Sequence, residues 1–385
     1  MYRKLFFIFV IFTLVTGFAT GFAAARQPWW YTLERGIEHF RNGSYGNALI
    51  AFEDARRDRA AQYTRMEQDL ILLLSHPNVR PLENSLEYIE MYIDINYETA
   101  AAAVLEELYH KVPRETLKDS ALLALKELDR LKVFPEAEFW LGETYRVEGE
   151  INLALHHYER AYNQRIMLEN SGFDVEILYK IVDIHRILQN YQEMDSRARE
   201  IIEGQLASGA PRDVFWARTA TQTESPMAPM RVAMLDILRR EGVDRFLTLY
   251  RHNNLVTERA HRFLGTFYNV TGRHTVAVEH LTFAFLIQNT VLIDEVIRSE
   301  FDYNFINLEN LMNSISRRPD LLAFIDDVEY YETIFYLAGS LQVTGRTIPA
   351  MQLWTFLAGN ANSGEWGERA RRNPAPYVER AIELP

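Results

Sequence analysis

Small residues recur along this chain at fixed steps, and that recurrence restricts the possible folds more than any other feature. Gly142 is followed after 7 residues by Gly149, after 12 by Ala154 and after 19 by Ala161. Gly36 leads by the same steps to Gly43, Ala48 and Ala55, with Phe52 four beyond the first alanine, and Gly265 leads to Gly272, Ala277 and Ala284. A partial copy runs Ala338, Gly345, Ala350, Leu357 and shares Val-Thr-Gly-Arg with the copy before it (Val270 to Arg273, Val343 to Arg346). Helix propensity explains one alanine but not a shared register.

The steps are those of two short helices packed against each other. In Pro135 to Ala161, Leu141, Gly142 and Tyr145 share one helical face, and Ala154, Tyr158 and Ala161 share a face of the next helix. Gly149 stands between them, where a helix-ending residue with positive φ is wanted. Gly142 and Ala154 let the two backbones approach, and the aromatics fill the space around that contact.

The pattern resembles the tetratricopeptide repeat (TPR) family, with its Leu-Gly-x2-Tyr first helix and Ala-x3-Phe second helix. The chain departs from it in three ways. Thr32, Glu138 and His261 stand where the family has tryptophan, with Trp140, Phe263 and Tyr336 two residues nearer the origin. Ala60, Ile166 and Asn289 stand where a proline closes the unit, and the unit origins lie 106, 123 and 73 residues apart. The resemblance therefore implies an all-α fold, an irregular α-α solenoid of antiparallel helix pairs, superhelical with a concave groove, its helices lengthened and its repeats interrupted. The packing positions are Gly36, Ala48, Ala55, Gly142, Ala154, Ala161, Gly265, Ala277 and Ala284.

Residues 1–25 have the pattern of an export signal, with Arg3 and Lys4, an apolar run from Leu5 to Val15, and Ala23-Ala24-Ala25. Cleavage there places the remainder in the periplasm or otherwise outside the cytoplasm; an uncleaved segment anchors it in the membrane. The expected organisation is 26–207 as an N-terminal helical lobe, 208–230 as a connecting loop rich in Pro, Ser and Thr, and 231–385 as a C-terminal lobe. Helical spacing continues where glycine markers vanish, over Leu82 to Ile95, Tyr97 to Lys111 and Leu117 to Leu131, and again over Val175 to Leu188 and Tyr191 to Gln205. Ala100 to Ala103 suits a close helix crossing. The 208–230 stretch is either a plain connector or a segment offered to a partner or groove through Phe215 and Trp216.

The sequence excludes more chemistry than it offers. There is no cysteine, which removes disulfides, thiol nucleophiles and thiolate metal sites. A net charge of −12 disfavours nucleic acid and anionic lipid as partners. No phosphate loop, dinucleotide fingerprint, His-Glu-x-x-His or Gly-x-Ser-x-Gly motif is present. His156 and His157 point apart on a helix, as do paired carboxylates such as Asp326 and Asp327. The expectation is a non-catalytic scaffold with no cofactor and no metal that binds a protein or peptide in the envelope; a homo-oligomer is compatible. A binder of a small molecule or glycan in a pocket between lobes is the alternative, and a hydrolase of the cell wall a third reading.

In the family, first helices line the groove. By register those positions are Leu33, Ile37, Phe40 and Arg41; Phe139, Glu143 and Arg146; Arg259, Arg262, Thr266 and Asn269; Phe335 and Gln342. Arg259 and Arg262, three apart on one face, either hold an acidic partner segment or pair with Glu258 and neighbouring acids. The carboxylate clamp of chaperone-binding members wants asparagine after the first-helix glycine, and Thr266 stands there instead.

Overall fold

The computed structural model describes residues 28–75, 128–168, 170, 172–203, 213, 215–216, 227–300 and 302–372. The expected signal segment, the helices over 82–95 and 97–111, nearly all of that over 117–131 and the crossing at 100–103 lie outside these residues. Among the described residues the chain is all-α, with fifteen α-helices, two 3-10 turns and no strand. It divides into two compact units, Met1–Glu169 and Asn170–Pro385, so the division falls before the 208–230 stretch rather than within it.

The first unit contains α1 (Trp29–Arg41), α2 (Tyr45–Ser75), α3 (Pro135–Val147) and α4 (Ile151–Asn163). Pro135 opens α3 at its first turn, where a missing N–H costs no helical bond. Gly36 meets the Phe52 ring and Ala51 across the α1–α2 contact, and Gly142 meets Tyr158 across the α3–α4 contact. The second helix of the first pair joins the next pair through stacking of Phe52 on Trp140 and through Arg56, which donates to Glu138 at 2.9 Å. Arg59, fully buried, donates to the Leu131 carbonyl at 3.0 Å and lies over the rings of Trp29 and Phe134. Trp29 thus belongs to the core while Trp30 stays exposed.

The second unit contains α5 (Phe173–Ile187), α6 (Tyr191–Glu203), α7 (Ala228–Glu241), α8 (Val243–Leu249), α9 (Leu255–Val270), α10 (His274–Ser299), α11 (Leu308–Ile315), α12 (Pro319–Asp327), α13 (Tyr330–Val343), α14 (Thr347–Gly359) and α15 (Gly364–Arg372). Its core is built around α10, buried almost continuously from Ala277 to Ile293. By length and composition alone α10 would also suit a membrane span, but here other helices cover it. Gly265 sits against Leu281 across the α9–α10 contact. Without the family's closing proline, α2 and α10 run straight through Ala60 and Asn289 to lengths of 31 and 26 residues.

Five turns share one geometry. At the α3–α4 turn, the N–H of Glu150 reaches the carbonyl of Tyr145 and that of Gly149 reaches Arg146, a bond pair that closes the helix only if residue 149 is left-handed. The same pair recurs with Gly43, Gly272 and Gly345, and also with Gln189 at φ 56°, which takes the glycine position between α5 and α6. Counting back from Gln189 gives Val182, Met194 and Ile201 at the same steps, all buried, so the register extends to a fifth pair that has none of the small residues. Sixteen residues after each origin stand Phe52, Tyr158, Leu281 and Trp354, all large; after Val182 stands Ala198. By position, large and small have exchanged sides in that pair.

Candidate functional site

A cleft of about 460 Å³ opens in the second unit, lined from α5 by Asp183 and Arg186, from α6 by Tyr191 and Met194, from one face of α9 by Arg259, Arg262, Phe263, Thr266, Phe267 and Val270, with Thr271 just beyond its end, and near the start of α13 by Glu329 and Glu332. Its floor is apolar: Phe267 stacks on Tyr191 at 5.5 Å, with Phe263 and Val270 beside them. Tyr179 fixes one wall against another. Its hydroxyl donates to the Val256 carbonyl at 2.8 Å and accepts from the Ala260 N–H at 3.1 Å, tying α5 to the first two turns of α9. On the other side Asn269 donates to Ser340 Oγ at 2.7 Å and to the Tyr336 carbonyl at 3.2 Å, tying α9 to α13.

The rim is charged and internally matched. Arg259 pairs with Asp183 at 2.8 Å and lies over the Tyr179 ring at 4.7 Å. Arg262 pairs with Glu258 at 3.2 Å and with Glu329. Arg186 lies 3.7 Å from Asp183. Glu258, nearly buried, also accepts from Gln288 at 2.7 Å, and burial pushes its carboxyl up against the pull of Arg262. Glu332 is different: half-buried in the cleft, it makes no ion pair or hydrogen bond among the described residues, and burial likewise pushes its carboxyl up. Of the two roles open to Arg259 and Arg262, pairing with acids of this chain is the one observed.

Other groove positions inferred from the register fall in different places. Arg259, Arg262 and Thr266 line the cleft, but Asn269 is buried in the α9–α13 contact. Leu33, Ile37 and Phe40 pack toward a core cluster of Ala48, Phe52 and Leu141 in the first unit, while Arg41 is exposed. Phe139 is buried against Tyr158, and Glu143 accepts from the Tyr158 hydroxyl at 2.5 Å and from Arg146 at 3.0 Å. Phe335 is buried between Trp354 and Trp366, and Gln342 accepts from the Trp354 indole at 2.9 Å. These apolar positions serve packing because neighbouring helices cover them. The nine small packing positions are all buried.

A polar cluster that sequence reasoning missed lies in the core of the second unit. Asp213, from the stretch of loop composition, accepts from His252 at 2.8 Å and from His261 at 3.1 Å, and His261 Nδ1 lies 3.0 Å from His280 Nδ1. The bonds are met if neutral His261 donates through Nε2 to Asp213 and accepts at Nδ1 from His280. Phe215 and Trp216 close over the cluster; Trp216 stacks on His280 and lies under Arg231 at 4.6 Å. Burial by itself would raise the Asp213 carboxyl, and the hydrogen bonds it accepts from His252 and His261 override it and hold it well below the usual carboxylate range. Neither Asp213 nor His261 has any solvent exposure, while His252 keeps a small exposed fraction.

The signal for it was a spacing of nineteen residues. His261 and His280 are 19 apart, and so are Glu138 and His157, which bond at 2.8 Å in the first unit. Both pairs join the position where the family has tryptophan to the partner helix. Buried Glu138 also accepts from Arg56 at 2.9 Å and Arg160 at 2.8 Å; burial would raise its carboxyl, and these bonds and charges bring it below its ordinary range. Among the described residues no three His, Asp or Glu side chains converge to hold a metal ion.

No protein-family model matches the chain, and no solved structure matches it. It is similar to an uncharacterized protein of Treponema pallidum (strain Nichols), 24% identical over 342 residues that cover 89% of this chain and 88% of that one. It is similar also to an uncharacterized protein of Borreliella burgdorferi, 20% identical over 219 residues, 55% of this chain and 67% of that one. A match of 342 residues is longer than either compact unit, so the first likeness extends into both.

Proposed function

We propose that this protein is an exported, non-catalytic scaffold that binds a polypeptide segment of an envelope partner, and that its helix pairs form an irregular TPR-like solenoid. The observation that carries the reading is the cleft: α5, α9 and α13, each the first helix of a pair in the shared register, all contribute to its walls. An apolar floor with a matched charged rim suits a docked side-chain row better than bond chemistry. Export rests on the pattern of residues 1–25. A photo-crosslinking residue at position 266, compared with one at exposed Thr275, tests the reading in intact cells. A discrete adduct at 266 that is absent at 275 and lost when Met194→Trp fills the cleft supports it; no adduct at 266 opposes it.

A small-molecule occupant is the second reading, favoured by the cavity volume and by the Tyr191–Phe267 stack. A thermal-shift hit from a metabolite library that Met194→Trp abolishes would select it over a polypeptide.

A further inference from the structure

Every guanidinium in the cleft already has a carboxylate. Arg259 and Arg186 share Asp183, and Arg262 has Glu258 and Glu329. An acidic ligand would have to displace one of these acids, leaving it desolvated or exposed without its partner, and would gain little. One carboxylate of the lining remains, that of Glu332, which makes no ion pair or hydrogen bond among the described residues. Outside the cleft, Arg369 of α15 acts on Glu332 through space, but it lies 3.7 Å from Glu365 and stacks over Trp366 at 4.6 Å, so it is already engaged. Arg262 acts on Glu332 through space only, its own bonds going to Glu258 and Glu329. A half-buried carboxylate beside an aromatic floor is what an incoming ammonium or guanidinium completes: the charge meets the acid, and its alkyl stem lies on the rings.

We infer that the cleft receives a polypeptide segment bearing a lysine or arginine, whose charge is taken by Glu332 while a neighbouring apolar side chain rests on Phe263 and Phe267. This rests on the polypeptide-binding reading above and gives the partner the opposite charge to the acidic segment that was one of two roles open to Arg259 and Arg262 in the bare sequence. Three helix pairs contribute to the cleft, a span that favours a chain segment over a free amine.

The test uses the full chain and two sets of fluorescein-labelled, amidated hexapeptides built from leucine, phenylalanine and alanine, identical except for lysine or glutamate at one position. Fluorescence anisotropy is expected to report binding of the lysine set, with Glu332→Gln weakening it about tenfold and erasing the preference over glutamate. Circular dichroism checks that the Glu332→Gln protein melts like the parent, and Met194→Trp, which fills the cleft, should abolish binding of both sets. Preferential binding of the glutamate set, or lysine binding indifferent to Glu332→Gln, overturns the inference while leaving the polypeptide reading intact. Binding of neither set overturns both. Calorimetric binding of spermidine with no peptide bound overturns it in favour of a free polyamine.

Discussion

A Cβ atom placed on Gly142 would lie 2.7 Å from two carbons of the Tyr158 ring, closer than side chains approach one another. The α3–α4 contact therefore exists only because residue 142 has no side chain. Gly142→Ala should destabilise the protein by about 1–3 kcal/mol. In a Tyr158→Ala background the same change should cost much less, because the ring it strikes has gone. A double-mutant cycle read by urea denaturation checks this, and additive effects would contradict the contact.

Gln189 holds a left-handed conformation that glycine holds at the four equivalent turns. A side chain there costs about 1–2 kcal/mol, partly offset by glycine's larger loss of freedom on folding. Gln189→Gly should stabilise by about 0.5–1 kcal/mol in the same denaturation assay. Glu329, the other non-glycine residue at positive φ among the described residues, should gain less on the same replacement, since its carboxylate pairs with Arg262.

Stability should fall as the solution is acidified below about pH 6.5, where free histidine takes up a proton. Burial holds His261 below its ordinary value despite its bond to Asp213, and holds His280 well below. The folded chain thus keeps both rings neutral where the unfolded chain protonates them. Unfolding binds protons there, and each ring contributes a loss of up to about 1.4 kcal/mol per pH unit. Asp213 extends the trend to lower pH: the stability from its depressed carboxyl is present above about pH 4 and lost as pH falls through its folded value. Denaturation midpoints between about pH 7 and 5 should show the slope, and His280→Phe should reduce it. A flat profile would contradict the neutral assignment.

Removing the Glu138 carboxylate leaves Arg56, Arg160 and His157 facing each other without their common acceptor. Glu138→Ala should cost about 2–4 kcal/mol, below the cost of a fully buried pair because both arginines retain access to water. The drop in melting temperature should shrink in an Arg56→Ala background.

Much of this architecture was legible because its cause is steric. Gly36, Gly142 and Gly265 are forced by close approach and Gly43, Gly149, Gly272 and Gly345 by positive φ, and both demands leave a residue type in the sequence. The α5–α6 pair gave no such sign, since Val182 and Ala198 carry the size difference reversed and Gln189 tolerates the strain. The cleft was half legible. Arg259, Arg262 and Thr266 follow from helical register, but Asp183 and Glu329 bond to those arginines across 76 and 67 residues, a distance at which only the folded chain identifies a partner. Leu33 and Ile37 illustrate the reverse problem, because an apolar stripe looks the same whether it faces a groove or a neighbouring helix. The Asp213 cluster joins residues 39 and 48 positions apart, and Asp213 itself lies in a stretch with no periodic signal.

Met194 is buried in the wall of the cleft, one of ten methionines in the chain, and its methyl group reports on that space directly. In methyl-labelled protein titrated with the tightest lysine-bearing hexapeptide, the Met194 resonance should shift saturably while that of Met312, beneath Tyr331, stays in place. A peptide that binds and leaves Met194 unmoved would contradict docking in this cleft.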